Sequence, residues 1–118
     1  MKTILVFLFA LLTVTVYGQA NPTSHSLGKV ILNNEKVKVT EFESQPNKDI
    51  CGLGMHTHPA HLTILLTEAT VTVTLPNGKT FTQKQPAGTT FWSEAETHTV
   101  INSGKGVAKA QIIEYKKK

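Results

Sequence analysis

Three of the chain's five histidines fall within six residues, in the run Met55-His56-Thr57-His58-Pro59-Ala60-His61. His56 and His58 are two apart, so on a strand both imidazoles project from one face. Two imidazoles aimed at one point suit neither a core nor a surface unless something binds them. A divalent transition metal does so, zinc for instance taking neutral imidazole nitrogen at about 2.0–2.1 Å. Pro59 has no donor and restrains the residue before it, which ends the strand at His58. The chain can then turn so that His61 points back at the same centre. A fourth histidine, His98, lies beside a turn further along the chain. Taken alone, His-x-His is explained as well by a solvated polar edge; the third and the distant fourth histidine make it a candidate ligand set. Cys51 precedes the cluster by five residues and is the only cysteine, so it makes no internal disulfide. It reads best as a small buried hydrophobe, with a reactive or intermolecular thiol as the alternatives. Glu94 and Glu96 stand just before His98, where a carboxylate can orient a ligand or move a proton; a solvated turn is the plainer reading and the one favoured. Trp92, Phe91, Phe81 and Met55 are expected to fill the core. His25, among Ser and Asn ahead of the first strand signals, is expected on the surface.

The elements that must position these residues read as strands. Val37 and Val39 alternate with lysines and a threonine, and Val71, Val73 and Leu75 alternate with Thr70, Thr72 and Thr74. Pro76-Asn77-Gly78 is a strong hairpin signal, because Asn-Gly readily takes the positive φ of a tight turn. Phe81 to Gln83 begins the return strand. Thr89–Trp92, His98–Ile101 and Val107–Ile113 add three more, separated by turns at Pro86-Ala87-Gly88 and Asn102-Ser103-Gly104-Lys105-Gly106. Seven or eight short strands spaced by about ten residues predict an antiparallel sandwich or barrel. The chain is 118 residues long, 40% hydrophobic and 17% charged, which is the size of one domain. Its charge of +4 comes from twelve lysines against eight acids. There is no arginine, and the only basic run is the tail Lys116-Lys117-Lys118, so nucleic acid is a poor partner.

The first twenty residues read as something other than fold. Lys2 precedes an apolar run from Ile4 to Val16, too short for the roughly 20 residues that span a bilayer. A basic residue, a short apolar stretch and then small residues predict a cleavable signal peptide, with cleavage before Gln19 or Asn21. The expectation is therefore a signal peptide over 1–20, a single domain over 21–118, export to a periplasm or the outside, and no membrane contact after cleavage.

From Gly54 to Asn102 the sequence resembles the two metal-binding motifs of the cupin superfamily. In the first motif a His-x-His pair is followed by a carboxylate and a hydrophobic strand. His56 and His58 match the pair, Leu62 to Leu66 match the strand, and His61 stands where Glu is usual. In the second motif Gly88, His98 and Asn102 match a glycine, a histidine and an asparagine four residues after it. The chain departs from the pattern at Ile50, Glu68, Glu94 and Glu96, where glycines or proline are usual. The resemblance implies an all-β, antiparallel jelly-roll barrel with one divalent transition metal held inside by His56, His58, His61 and His98.

Imidazole suits iron, nickel, copper and zinc, manganese is a further candidate, and the residues do not choose among them. Four neutral ligands leave the ion its full charge, which favours bound anions or an enolate-like group. Two readings of function follow. One is a metal-dependent dioxygenase- or isomerase-type enzyme acting on a small oxygenated molecule. The other is a non-catalytic module binding a metal or a small ligand such as a sugar. Pairing through barrel edges, common in the family, makes a homodimer an expectation of the resemblance.

Overall fold

A computed structural model describes residues 28–118; the expected signal peptide over 1–20 and His25 lie outside the described residues. Nine strands make up the described chain: β1 (Lys29–Asn33), β2 (Val37–Ser44), β3 (His56–His58), β4 (His61–Leu65), β5 (Ala69–Thr74), β6 (Thr80–Gln85), β7 (Thr90–Ser93), β8 (Glu96–Asn102) and β9 (Ala108–Tyr115). They form a five-stranded sheet in the order β1-β2-β9-β4-β7 and a four-stranded sheet in the order β3-β8-β5-β6. Every pairing between strands is antiparallel. The all-β jelly-roll architecture is therefore as the sequence implies. β3 ends at His58 as Pro59 implies, whereas β1 carries too little alternation to be read from sequence.

Period-two burial shows which face is inside. On β4, His61, Thr63 and Leu65 are buried while Leu62 and Ile64 are only half-buried. On β9, Ala108, Ala110 and Ile112 are buried while Lys109, Gln111 and Ile113 face outward. Ile50, Leu65, Ala69, Val100, Ala108 and Ala110 form the core, with Cys51, Val71 and Val73 packed against it. Three of those six are alanines, and small side chains on facing strands leave space rather than filling it. The β5–β6 hairpin turns at Pro76-Asn77-Gly78 as expected, but Gly78 alone takes the positive φ, at 85°. Its N–H donates to the Leu75 carbonyl at 2.9 Å, and the Leu75 N–H donates to Lys79 at 2.8 Å.

The register overturns some expectations about the large apolar residues. Trp92 lies opposite Leu62 on the outer face of the five-stranded sheet, 49% exposed and beside Tyr115. It cannot fill the core, because its strand gives the inner face to Phe91 and Ser93, which lie opposite Thr63 and His61. Phe91 and Phe81 do face the interior, but as cavity walls with partial exposure rather than as sealed core. Met55 precedes β3 and is 49% exposed.

Candidate metal centre

The centre rests on the ladder between β3 and β8. Its register sets His56 directly opposite His98 and His58 directly opposite Glu96. Cross-strand partners share a face, and so do residues two apart on one strand. All four side chains consequently point the same way, into the barrel. The ring centroids of His56 and His58 are 4.6 Å apart, those of His56 and His98 5.0 Å, and those of His58 and His98 5.5 Å. Thr57 and Thr97, on the opposite face of the same ladder, share a hydroxyl–hydroxyl hydrogen bond of 2.8 Å.

Cys51 joins this group because the segment before it runs alongside β8. The Asn47 N–H donates to the Asn102 carbonyl at 2.7 Å, the Asn102 N–H to Lys48 at 2.9 Å, and the Ile50 N–H to Val100 at 3.0 Å. That zip ends one residue short of Cys51 and sets its sulfur 3.3 Å from His56 Nε2 and 3.7 Å from His98 Nε2. One donor atom from each of Cys51, His56, His58 and His98 lies within 4.8 Å of the others. Among the candidates singled out in the sequence, the structure thus gathers His56, His58 and His98, and adds Cys51.

His61 lies beside that foursome rather than in it. After His58 the chain crosses at Pro59-Ala60 from the four-stranded to the five-stranded sheet, so His61 approaches from the opposite wall. Its ring centroid is 5.1 Å from that of His58. Its Nδ1–H donates to the Pro59 carbonyl at 2.7 Å, which leaves Nε2 3.7 Å from Glu96 Oε1. The same carboxylate oxygen is 3.7 Å from His98 Nδ1, so Glu96 sits between the two rings. The favoured reading of Glu96 as a solvated turn does not hold: it opens β8 on the inner face. Glu94 does lie on the surface, where its Oε1 accepts the Trp92 indole N–H at 3.0 Å.

The fit of a metal can be judged from the donors themselves. His56 Nδ1–H donates to the Gly54 carbonyl at 2.8 Å, which fixes the tautomer and leaves a lone pair on Nε2 facing Cys51. His58 Nε2 is buried and has no hydrogen-bond partner. An orphaned buried nitrogen costs about 1–3 kcal/mol unless something satisfies it. Burial, together with His56, His61 and His98 around it, lowers the His58 pKa to about 4. Burial also lowers that of His98, against the opposing pull of Glu96. Both imidazoles are therefore neutral at pH 7, the form a metal needs. The Cys51 thiol is pushed up to about 12, by burial first and then by the Glu96 carboxylate, and so stays protonated unless a cation displaces the proton. These donors fit a transition metal.

Gly52 is a site residue that the sequence did not disclose. A Cβ built there would fall 2.7–2.9 Å from three atoms of the His56 ring, closer than van der Waals contact permits. Gly52→Ala should therefore tilt His56 away from its partners. The expected result is a metal affinity about 10–100-fold weaker, as when a ligand's orienting contacts are lost. Chelator competition measures it, and an unchanged affinity would mean that the ring has room to move.

The apolar space left by the core alanines opens beside this centre. It is a cavity of about 240 Å³. Cys51, His61, Glu96 and His98 line one part of it, and Leu65, Val71, Val73, Phe81, Phe91 and Ile112 line another.

No family model and no curated protein matches the chain. Solved structures do. A cupin domain from Bordetella pertussis Tohama I is 26% identical, with a TM-score of 0.69 over 78% of this chain and 94% of that one. An RmlC-like cupin family protein with a double-stranded β-helix fold, from Methanocaldococcus jannaschii, is 11% identical; the TM-score is 0.61 over 80% of this chain and 84% of that one. The polyketide cyclase RemF from Streptomyces resistomycificus is 17% identical, with a TM-score of 0.59 over 78% of this chain and 66% of that one. These likenesses concern the barrel.

Proposed function

We propose that this chain, which folds as a small cupin-like domain, is an exported metal-dependent enzyme of dioxygenase or isomerase type acting on a small oxygenated molecule. The observation that carries the reading is the convergence of three inward-facing imidazoles, one with an orphaned buried nitrogen, beside an apolar cavity. His56, His58 and His98 would hold the ion, which as a Lewis acid would polarise an oxygen of a bound molecule.

The chain's own residues account for binding and orientation. At about 240 Å³ the cavity is just under the roughly 300–1,000 Å³ of ordinary ligand pockets, which limits the guest to a small molecule. Its aliphatic and aromatic walls suit a flat or branched apolar body. The guest's oxygen then belongs at the end where His61, Glu96 and His98 meet. Glu96 Oε1 lies 3.7 Å from both His98 Nδ1 and His61 Nε2 and places a carboxyl group at that end. Export is supported by Lys2 and the apolar run that follows it, and a homodimer by the family's habit alone.

The cavity's mostly hydrocarbon lining favours a second reading, a non-catalytic module that retains a small ligand. One experiment separates the two. Elemental analysis of purified protein should find a transition metal near one equivalent. Metal-loaded protein should then consume oxygen, or isomerise substrate, with a member of a panel of diketones, flavonols and thiols. A loaded protein that binds a panel member without turning it over would establish the binding module instead. A protein that takes up no transition metal would overturn both the enzyme and the metal site.

A further inference from the structure

We infer that the Cys51 thiolate is the fourth ligand of the metal, giving a three-nitrogen, one-sulfur site. The inference rests on the metal reading above and deepens it by choosing the ligand and the class of ion.

Geometry supplies the first argument. A tetrahedral ion with bonds of about 2.3 Å to sulfur and 2.0–2.1 Å to nitrogen sets those two donors about 3.5 Å apart. Cys51 Sγ is 3.3 Å from His56 Nε2 and 3.7 Å from His98 Nε2, on either side of that edge. His61 belongs to a different sheet, and its Nε2 faces Glu96.

A count of protons supplies the second. A thiol has one weak donor, and a neutral imidazole has one donor nitrogen and one acceptor. His56 spends its N–H on Gly54, so its Nε2 presents a lone pair to the sulfur. His98 turns Nδ1 to the Glu96 carboxylate and Nε2 to the same sulfur. His58 Nε2 has no partner at all. One S–H cannot serve two facing lone pairs and leaves the third nitrogen unsatisfied. A cation that replaces that proton satisfies all four atoms together, and the proton leaves to solvent as the ion binds.

Backbone placement supplies the third. The hydrogen bonds from Asn47, Asn102 and Ile50 hold the segment leading to Cys51 against β8, and the core packs against Cys51 itself. The sulfur is thus delivered to the centre by the fold rather than by a free loop. A thiolate among imidazoles selects borderline and soft ions such as zinc, cobalt and copper over manganese.

Cobalt(II) is the probe, because a thiolate ligand gives it a charge-transfer band in the near ultraviolet that nitrogen and oxygen donors do not give. Metal-free protein titrated with cobalt(II) should show this band, and zinc should abolish it while manganese should not. His61→Ala should keep the band. Cys51→Ser should lose it while retaining the visible ligand-field bands of cobalt, with an affinity at least about 100-fold weaker, beyond the usual effect of an orienting partner. Bound zinc should also shield Cys51 from a thiol reagent in the wild-type protein, a readout that does not depend on how the variant folds. Cobalt bound without the sulfur band, with Cys51 equally reactive in loaded and metal-free protein, would overturn the inference and leave the three-histidine site standing. Failure to bind cobalt, zinc or copper at all would overturn both.

Discussion

His58→Ala should weaken metal binding by about 10²–10³-fold and, in the same protein, flatten the acid limb of its metal-free stability. The first effect follows from sharing about 10–16 kcal/mol of binding among four ligands, which gives each about 2.5–4 kcal/mol. The second follows from the depressed pKa. In the folded protein His58 titrates near 4, against 6.5 for the ordinary imidazole, because it is buried among three other rings. The unfolded chain therefore takes up a proton before the folded one does. Stability due to neutral His58 is complete above pH 6.5 and is lost as pH falls towards 4, by about 3 kcal/mol in all. Denaturant unfolding of metal-free protein at pH 7 and pH 4 measures the loss in wild type and its reduction in the variant. Equal losses in the two proteins would mean that His58 is not the group that resists protonation.

Asn102→Ala should cost about 3–5 kcal/mol, a large part of the 5–15 kcal/mol that holds an ordinary domain. Asn102 is 1% exposed. Its amide donates to the Ser44 carbonyl at 3.0 Å and to Gly106 at 2.9 Å, while its side-chain oxygen accepts the Gly104 N–H at 3.0 Å. Alanine takes a donor from the Ser44 carbonyl in the interior, and it frees the Gly106 carbonyl and the Gly104 N–H nearer the surface. Asn102→Asp should be no rescue, since it keeps the acceptor, loses both donors and brings a carboxylate against two carbonyl oxygens. The damage should also travel, because Ser44 begins the segment that runs along β8 to Cys51. Metal affinity should fall with stability. A loss below about 1 kcal/mol would show that water replaces the amide's three contacts.

The two substitutions probe features of unequal legibility. The same-face pairing of His56 and His58 follows from strand geometry alone, and a distant histidine can be matched to them by motif. Strand alternation is equally plain on β5, where Val71 and Val73 pack against the core. What could not be read was register: nothing in Glu96 or Thr97 announces that the first lies opposite His58 and the second opposite Thr57. Without register, Glu96 looks like a solvated turn residue and Trp92 like core. Cys51 and Gly52 were hidden for a related reason. Their roles depend on hydrogen bonds between residues 47–50 and 100–102, which a pattern along one stretch of chain does not encode.

The ladder that carries the centre also lies at an edge of the barrel. β3 is three residues long, lies at the edge of its sheet, and among the strands pairs only with β8. Short edge strands open on their own, well below the free energy of global unfolding. When β3 lifts away it takes His56 and His58 with it and leaves His98 behind. An ion held there would gain a route to solvent through local opening of β3, with the rest of the barrel closed. A bound ion would in turn act as a rivet across that edge. Amide hydrogens of residues 56–58 should exchange more slowly in loaded protein than in metal-free protein, while those of β5 and β9 hardly change. An ion that left through this edge would do so no faster than the three-residue strand opens.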